Sequence, residues 1–164
     1  MKRLLFSLTL SLIAMVSMAQ AKYVFYFIGD GMGANQVLAA EMYQAALQGQ
    51  IGRVPLLMSQ FPYSGQAATF STSYGITDSA AAGTCLASGK KTDNGMIGQT
   101  PDGTPAYSVA SILHDEGWAV GIMSSVPVDH ATPASQYAHA EKRYQYYKIG
   151  TQLTQTNFNF FAGG

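Results

Sequence analysis

The sequence predicts an α/β fold, part of a large and mostly parallel doubly wound sheet with helices on both faces. Two apolar segments rich in β-forming residues, 23–28 and 118–126, predict buried strands, and a more polar segment at 65–73 predicts a third. Helical patterns separate them at 34–48, 79–88 and 107–116. Such alternation is typical of parallel strands that are covered by helices.

The ends of these helices are indicated by capping residues. Thr77 or Asp78 can cap the helix of small residues at 79–88, and Gly117 is placed to stop the helix before it. Asn94-Gly95 marks a turn. Beyond Asp129, the chain is expected to pass through a loop into one helix that runs towards Tyr147.

The bulk composition is that of a globular protein. Of 164 residues, 48% are hydrophobic and 11% charged, with a formal net charge of zero, which gives no reason to expect nucleic acid or an anionic membrane as partner. Cys85 is the single cysteine, so no disulfide can form within this sequence. Its small neighbours predict a buried packing role.

The first 21 residues have the pattern of a signal peptide. Lys2 and Arg3 precede an apolar stretch that is too short to span a bilayer comfortably, and the stretch ends in Ala-Gln-Ala. We therefore expect a leader at 1–21, a catalytic-domain portion at 22–164, and export to the periplasm or the medium.

Asp30 lies in "GDGMGA", directly after a predicted strand and before a predicted helix. The motif formally fits the dinucleotide fingerprint, but residues 48–57 contain no acid to bind a ribose, and a carboxylate there would repel a pyrophosphate. The alternative is that Asp30 binds a hard cation, which would remove that repulsion.

Four further residues are candidates for one site, although each has a simpler structural explanation. Ser79 begins a helix, where the local potential favours phosphate. His130 offers an imidazole, Thr132 a hydroxyl and Arg143 a planar fork for two phosphate oxygens. Taken singly, His130 could be a turn residue, Thr132 a helix cap and Arg143 a solvated charge. Ligands of open α/β sheets collect beyond the carboxyl ends of the strands, which is where these residues are expected.

Four motifs in order, "FIGDGMG", "GITDSAAAGT", "KTDNGMIG" and "HATPASQYAHAEKR", resemble the alkaline phosphatase family. The resemblance implies that Ser79 is the nucleophile, which becomes transiently phosphorylated. It also implies that Arg143 clamps the phosphate and that Asp78 helps to hold this arginine. Asp30 would bridge Mg²⁺ and one of two Zn²⁺ ions, and Thr132 would be a ligand of the magnesium site.

His130 matches a position that is aspartate in some members and histidine in others. The residue at this position affects which metal ion binds at the third site, the magnesium site. The other zinc ligands of the family lie downstream, so we expect the chain to be the N-terminal part of a longer phosphomonoesterase. The resemblance also implies a homodimer for the full-length protein. By itself the chain should be poorly stable and close to inactive. A non-catalytic secreted module that binds phosphate or metal, and a dinucleotide-binding oxidoreductase, are the alternatives.

Overall fold

The computed structural model describes residues 21–164, so the predicted leader lies outside the described residues except for Ala21. The chain divides into two compact units, Met1–Met32 and Gly33–Gly164, which are described separately. In the first unit, residues 23–28 form neither helix nor strand, and the side chains of Tyr23, Phe25 and Phe27 are exposed. The prediction of a buried strand at 23–28 is wrong for this chain, because no described segment pairs with that backbone.

The second unit contains five α-helices, one 3₁₀ turn and two short strands among its described residues. In chain order these are α1 (Ala34–Leu47), the 3₁₀ turn (Leu57–Gln60), α2 (Ser79–Ser88), α3 (Val109–Asp115), β1 (Gly121–Met123), α4 (Ala131–Ala134), α5 (Tyr146–Leu153) and β2 (Phe160–Ala162).

The two strands form a parallel pair with helices around it, which agrees with the predicted α/β class as an incomplete sheet. Ile122 of β1 lies opposite Phe161 of β2. Of the predicted strand 118–126, the three residues Gly121–Met123 form a strand. Residues 65–73 are not a strand, and apart from Ser71 they are exposed. That prediction is wrong, because a polar alternating segment becomes a strand only beside a partner.

Helices α1, α2 and α3 form close to their predicted positions. Asp78, one of the two predicted candidates, caps α2, and Ser108 caps α3. Gly117 lies just beyond the end of α3 and has φ +88°. Its N–H donates to the carbonyl of His114 at 2.9 Å, which terminates the helix as predicted.

The single helix predicted to run towards Tyr147 is interrupted. It is replaced by α4, a series of turns and α5. The physical reason is that the backbone between α4 and α5 is bonded elsewhere: Ala140 exchanges both hydrogen bonds with Ile97, at 2.8 and 2.9 Å, and Arg143 N–H donates to Gly95.

The core of the second unit is built mainly from small residues. A buried cluster joins α2, the segment between α2 and α3, α4, and the residues that follow α4; its members are Ala80, Ile97, Ala131, Ala134, Tyr137, Ala138, Ala140 and Ile149. Gly83 lies where α2 meets α4, and a Cβ there would come within 2.8 Å of Ser135 Oγ. The small residues at 79–83 therefore allow two helices to approach closely.

Much apolar surface remains exposed. On α1 the exposed side chains include Leu38, Met42, Tyr43 and Leu47, and Cys85 of α2 is half-buried instead of buried as predicted. Within residues 21–164, no helix is long and apolar enough to cross a membrane. The expected low stability of the chain stays a prediction.

Candidate functional site

The site begins at the N-terminus of α2. Asp78 is the N-cap, in extended conformation, and its Oδ1 accepts a hydrogen bond from Ala81 N–H at 2.9 Å. Ser79 is the first helical residue and is half-buried. The cap satisfies one of the orphan N–H donors of the first turn, and it places Ser79 next to a helix end with a positive potential.

The second carboxylate oxygen of Asp78 binds Arg143. Oδ2 lies 3.1 Å from Arg143 Nη1, and the same oxygen accepts from Gly95 N–H at 3.0 Å. About a quarter of each charged side chain is exposed, 25% for Asp78 and 28% for Arg143. The structure thus brings together three of the residues chosen from the sequence, since Ser79 follows Asp78 directly.

His130 and Thr132 lie at the start of α4, which packs on α2. His130 is the N-cap of α4. Its Nδ1 atom is buried and has no hydrogen-bond partner within residues 21–164. Thr132 is half-buried, and its Cα lies 3.6 Å from the position of a Cβ on Gly83. A buried imidazole nitrogen without a hydrogen-bond partner among the described residues is a free donor of the kind that metal ions use.

A buried tyrosine, Tyr137, is hydrogen-bonded to the loop that precedes His130. Tyr137 donates its hydroxyl to the carbonyl of Val128 at 2.9 Å. Burial, and then the nearby Asp129 carboxylate, raise the pKa of Tyr137 far above its ordinary value. The phenol therefore stays protonated and keeps its bond to the loop that leads into His130.

Asp30 belongs to the first unit and is described within it alone. It lies in a tight turn that is closed by a hydrogen bond from Met32 N–H to Gly29 O at 3.2 Å. Gly31 follows at φ +71°, in the left-handed region that favours glycine. The Asp30 side chain is exposed. Within the described residues, no group of three or more His, Cys, Asp or Glu side chains could hold a metal ion.

Two features of the second unit were not predicted from the sequence. The Asn94-Gly95 turn was predicted only as a turn, although both residues bind Asp78; its place in the motif "KTDNGMIG" was the available signal. His139 was expected on a helix surface and instead lies between α4 and α5, where its ring meets that of Tyr107 edge-on at 5.3 Å.

The comparisons with known proteins agree with one another. The family model for alkaline phosphatase matches residues 21–157. The chain is 39% identical over 137 residues to the tissue-nonspecific alkaline phosphatase of Gallus gallus, covering 77% of this chain and 26% of the relative. It thus spans only about a quarter of that relative's length.

Two solved structures extend the likeness to the fold. A cold-active alkaline phosphatase from Shewanella sp. matches with a TM-score of 0.73 and 28% identity, over 81% of this chain and 33% of that one. A histidine-to-aspartate variant of TAB5 alkaline phosphatase, solved with Mg bound in its M3 site, matches with a TM-score of 0.57 and 31% identity, over 65% of this chain and 34% of that one. With its motifs, its fold and its sequence in agreement, this chain belongs to the alkaline phosphatase family.

Proposed function

We propose that the protein carrying this chain hydrolyses phosphate monoesters through a phosphoserine formed on Ser79. The observation that carries the proposal is the ion pair between Asp78 and Arg143, because it joins a serine at a helix N-terminus to a guanidinium group. A helix N-terminus and a planar guanidinium both favour a phosphoryl group.

In this proposal the Ser79 oxygen forms a bond to phosphorus, the bond between phosphorus and the ester oxygen breaks, and the alcohol leaves with a proton that replaces, by way of solvent, the one lost from the serine hydroxyl. Water then attacks the phosphoserine, which releases phosphate and restores the hydroxyl. Arg143 donates to the equatorial phosphoryl oxygens, where charge develops, with the N–H groups that do not contact Asp78. Asp78 holds this guanidinium in one orientation and does not touch the substrate.

We infer that Asp30, Thr132 and His130 contribute to the binding of Zn²⁺ and Mg²⁺. Support comes from their donor chemistry and from the orphaned Nδ1 of His130. Divalent ions, when bound, would lower the pKa of the serine hydroxyl and stabilise the leaving oxygen. A histidine-to-aspartate variant of the TAB5 relative was solved with Mg bound in its M3 site, which supports a magnesium site in the protein that carries this chain.

The direct test uses p-nitrophenyl phosphate and the complete natural protein that carries these residues. Ser79→Ala should abolish turnover. Ser88→Ala is the matched control, because Ser88 is in the same helix and donates only to Thr84 O at 2.7 Å. Acid quenching with phosphate, followed by mass spectrometry of the tryptic peptide 54–90, should give a phosphopeptide that Ser79→Ala lacks. Equal activity in both variants would refute the proposal.

We also propose that the 164-residue chain by itself turns over little substrate. A catalytic zinc usually takes three protein ligands, and residues 21–164 provide no group of three such side chains. Turnover by the short chain, with both metals added, at the rate of the complete protein would contradict this. Phosphate binding without any turnover by the complete protein would favour the non-catalytic alternative.

A further inference from the structure

In the Asn94-Gly95 turn, the side chain of Asn94 forms hydrogen bonds with the backbone on both sides of Thr77, the residue before the N-cap of α2. Asn94 Oδ1 accepts from Asp78 N–H at 3.0 Å, and Asn94 Nδ2 donates to Ile76 O, also at 3.0 Å. Both polar groups of this half-buried amide are therefore used on the backbone that leads into Ser79. The side chain fixes the direction in which the chain enters the helix.

The next residue of the turn bonds to the charged pair itself. Gly95 N–H donates to Asp78 Oδ2 at 3.0 Å, the oxygen that also meets Arg143 Nη1. Gly95 O accepts from Arg143 N–H at 2.7 Å. One residue, Gly95, therefore holds the Asp78 carboxylate through its N–H and the Arg143 backbone through its carbonyl. Gly95 has φ +88°, a conformation that favours glycine.

The Asn94-Gly95 turn is itself hydrogen-bonded to the loop before α2. Asn94 N–H donates to Ser73 Oγ at 3.0 Å, and Thr72 N–H donates to Thr92 O at 3.0 Å. Asp93 accepts from the hydroxyl of Thr72. These bonds tie two loops together, so that the turn is a supported element against which the charged pair can be aligned.

We propose that Asn94 and Gly95 are positioning residues for phosphate binding, acting through Asp78 and Arg143. The inference rests on the proposed function and adds to it the group that orients the arginine. A guanidinium that has lost its alignment still carries its charge, but it presents fewer N–H donors to the phosphoryl oxygens. Loss of the turn should thus weaken phosphate binding through Arg143.

The test is a double-mutant cycle in the complete natural protein, with Ki for inorganic phosphate and KM for p-nitrophenyl phosphate as readouts. Asn94→Ala should raise both by about tenfold, the upper end of the effect expected when one hydrogen bond is lost. In the Arg143→Ala background it should raise them by less than about twofold, because the arginine through which it acts is gone. If Asn94→Ala does not fold, Asn94→Ser replaces it.

Asn159→Ala is the matched control. Asn159 Oδ1 also accepts a hydrogen bond from a backbone N–H, that of Val120 at 2.8 Å, but this bond does not involve Asp78 or Arg143. It should leave Ki and KM unchanged. An equal rise in Ki in both arginine backgrounds would mean a purely structural role and would overturn the proposal, as would an unchanged Ki in Asn94→Ala.

A second readout does not depend on turnover. Phenylglyoxal modification of Arg143, followed by peptide mass spectrometry, should be several-fold faster in Asn94→Ala than in the wild type or in Asn159→Ala. An unchanged rate would overturn the proposed positioning even in an active enzyme. A wild type without phosphatase activity would refute the proposed function instead, while the modification rate would still decide whether the turn orients Arg143.

Discussion

Asp78 and Arg143 form an ion pair of 3.1 Å although they lie 65 positions apart in the chain. Asp78 serves two structural roles at once, since one oxygen caps α2 and the other holds the guanidinium and the Gly95 N–H. Both roles depend on the same side chain, but they depend on different properties of it. Capping needs only an acceptor, whereas the pairing with Arg143 needs a charge.

Two substitutions of Asp78 should separate these roles. Asp78→Asn keeps a good capping residue and removes the charge, so we expect a small change in the free energy of unfolding and a large rise in the phosphate Ki. Asp78→Ala removes the cap as well and should cost about 1 kcal/mol more in stability. Urea unfolding and phosphate inhibition of the complete protein measure the two effects. Equal stability losses for the two variants would contradict the division of roles.

The features that the sequence predicts well are local ones. The cap at Asp78 and the stop at Gly117 depend on a few neighbouring residues, and both are confirmed. The family motifs also marked Ser79 and Arg143 as members of one site. The structure brings Arg143 to Asp78, and Asp78 is the direct neighbour of Ser79.

The failed predictions are those that depend on distant pairing. The apolar pattern at 23–28 predicts a strand, but a strand also needs a neighbour, and the described residues supply none. The helical pattern before Tyr147 is broken because Ala140 pairs with Ile97, which lies 43 positions earlier in the chain. Local preference does not encode such contacts, so tertiary bonding overrides it.

Gly83 and Gly150 give a matched test of the packing between α2 and α4. Both are helical, but a Cβ on Gly83 would meet Ser135 Oγ at 2.8 Å and its Cβ at 3.2 Å, whereas a Cβ on Gly150 would meet nothing within 4 Å. Gly83→Ala should therefore destabilise the protein by about 1–3 kcal/mol through overpacking. Gly150→Ala should stabilise it by about 0.5–1 kcal/mol through helix propensity.

Urea unfolding midpoints of the two variants provide the measurement. Gly83→Ala combined with Ser135→Ala should recover part of the loss, because the nearest clashing atom is removed. A stabilising Gly83→Ala would show that the two helices can separate without cost, and it would contradict the close packing described here.

Tyr137 should make the stability sensitive to alkaline pH. Its pKa is raised above the ordinary value of 10.0, first by burial and then by the Asp129 carboxylate. The neutral phenol is thus favoured in the folded state, so its stabilising contribution is complete below about pH 10 and declines as the pH rises further. Tyr137→Phe should cost about 0.5–1.5 kcal/mol at neutral pH, through the bond to Val128.

The same variant should flatten the alkaline limb of the stability curve, because it cannot ionise. Absorbance titration of the folded wild type should show one tyrosine that ionises only above the ordinary tyrosine pKa, and Tyr137→Phe should lack it. A wild-type alkaline limb identical to that of Tyr137→Phe would contradict the assignment.

Glu41 should govern the acid limb. Its side chain, 1% exposed, accepts hydrogen bonds from Leu56 N–H and from Arg53 Nη1, each at 3.1 Å, and so anchors α1 to the chain that follows it. The Ser59 hydroxyl, then Leu56 N–H, hold the pKa of Glu41 below its ordinary value of 4.5, with Arg53 adding a smaller effect. The folded state thus favours the carboxylate. Its stabilisation is complete above about pH 4.5 and is lost as the pH falls through the lowered pKa.

Glu41→Gln should accordingly destabilise the protein at neutral pH and make its stability less dependent on pH below about 4.5. Glu116→Gln is the control, because Glu116 is an exposed carboxylate just beyond α3. Urea midpoints measured across this range compare the two. If the acid limb of Glu41→Gln stayed as steep as that of the wild type, the loss of stability in acid would have to come from other carboxylates. Asp102 would be the first to examine, since the Thr100 hydroxyl lowers the pKa of its side chain.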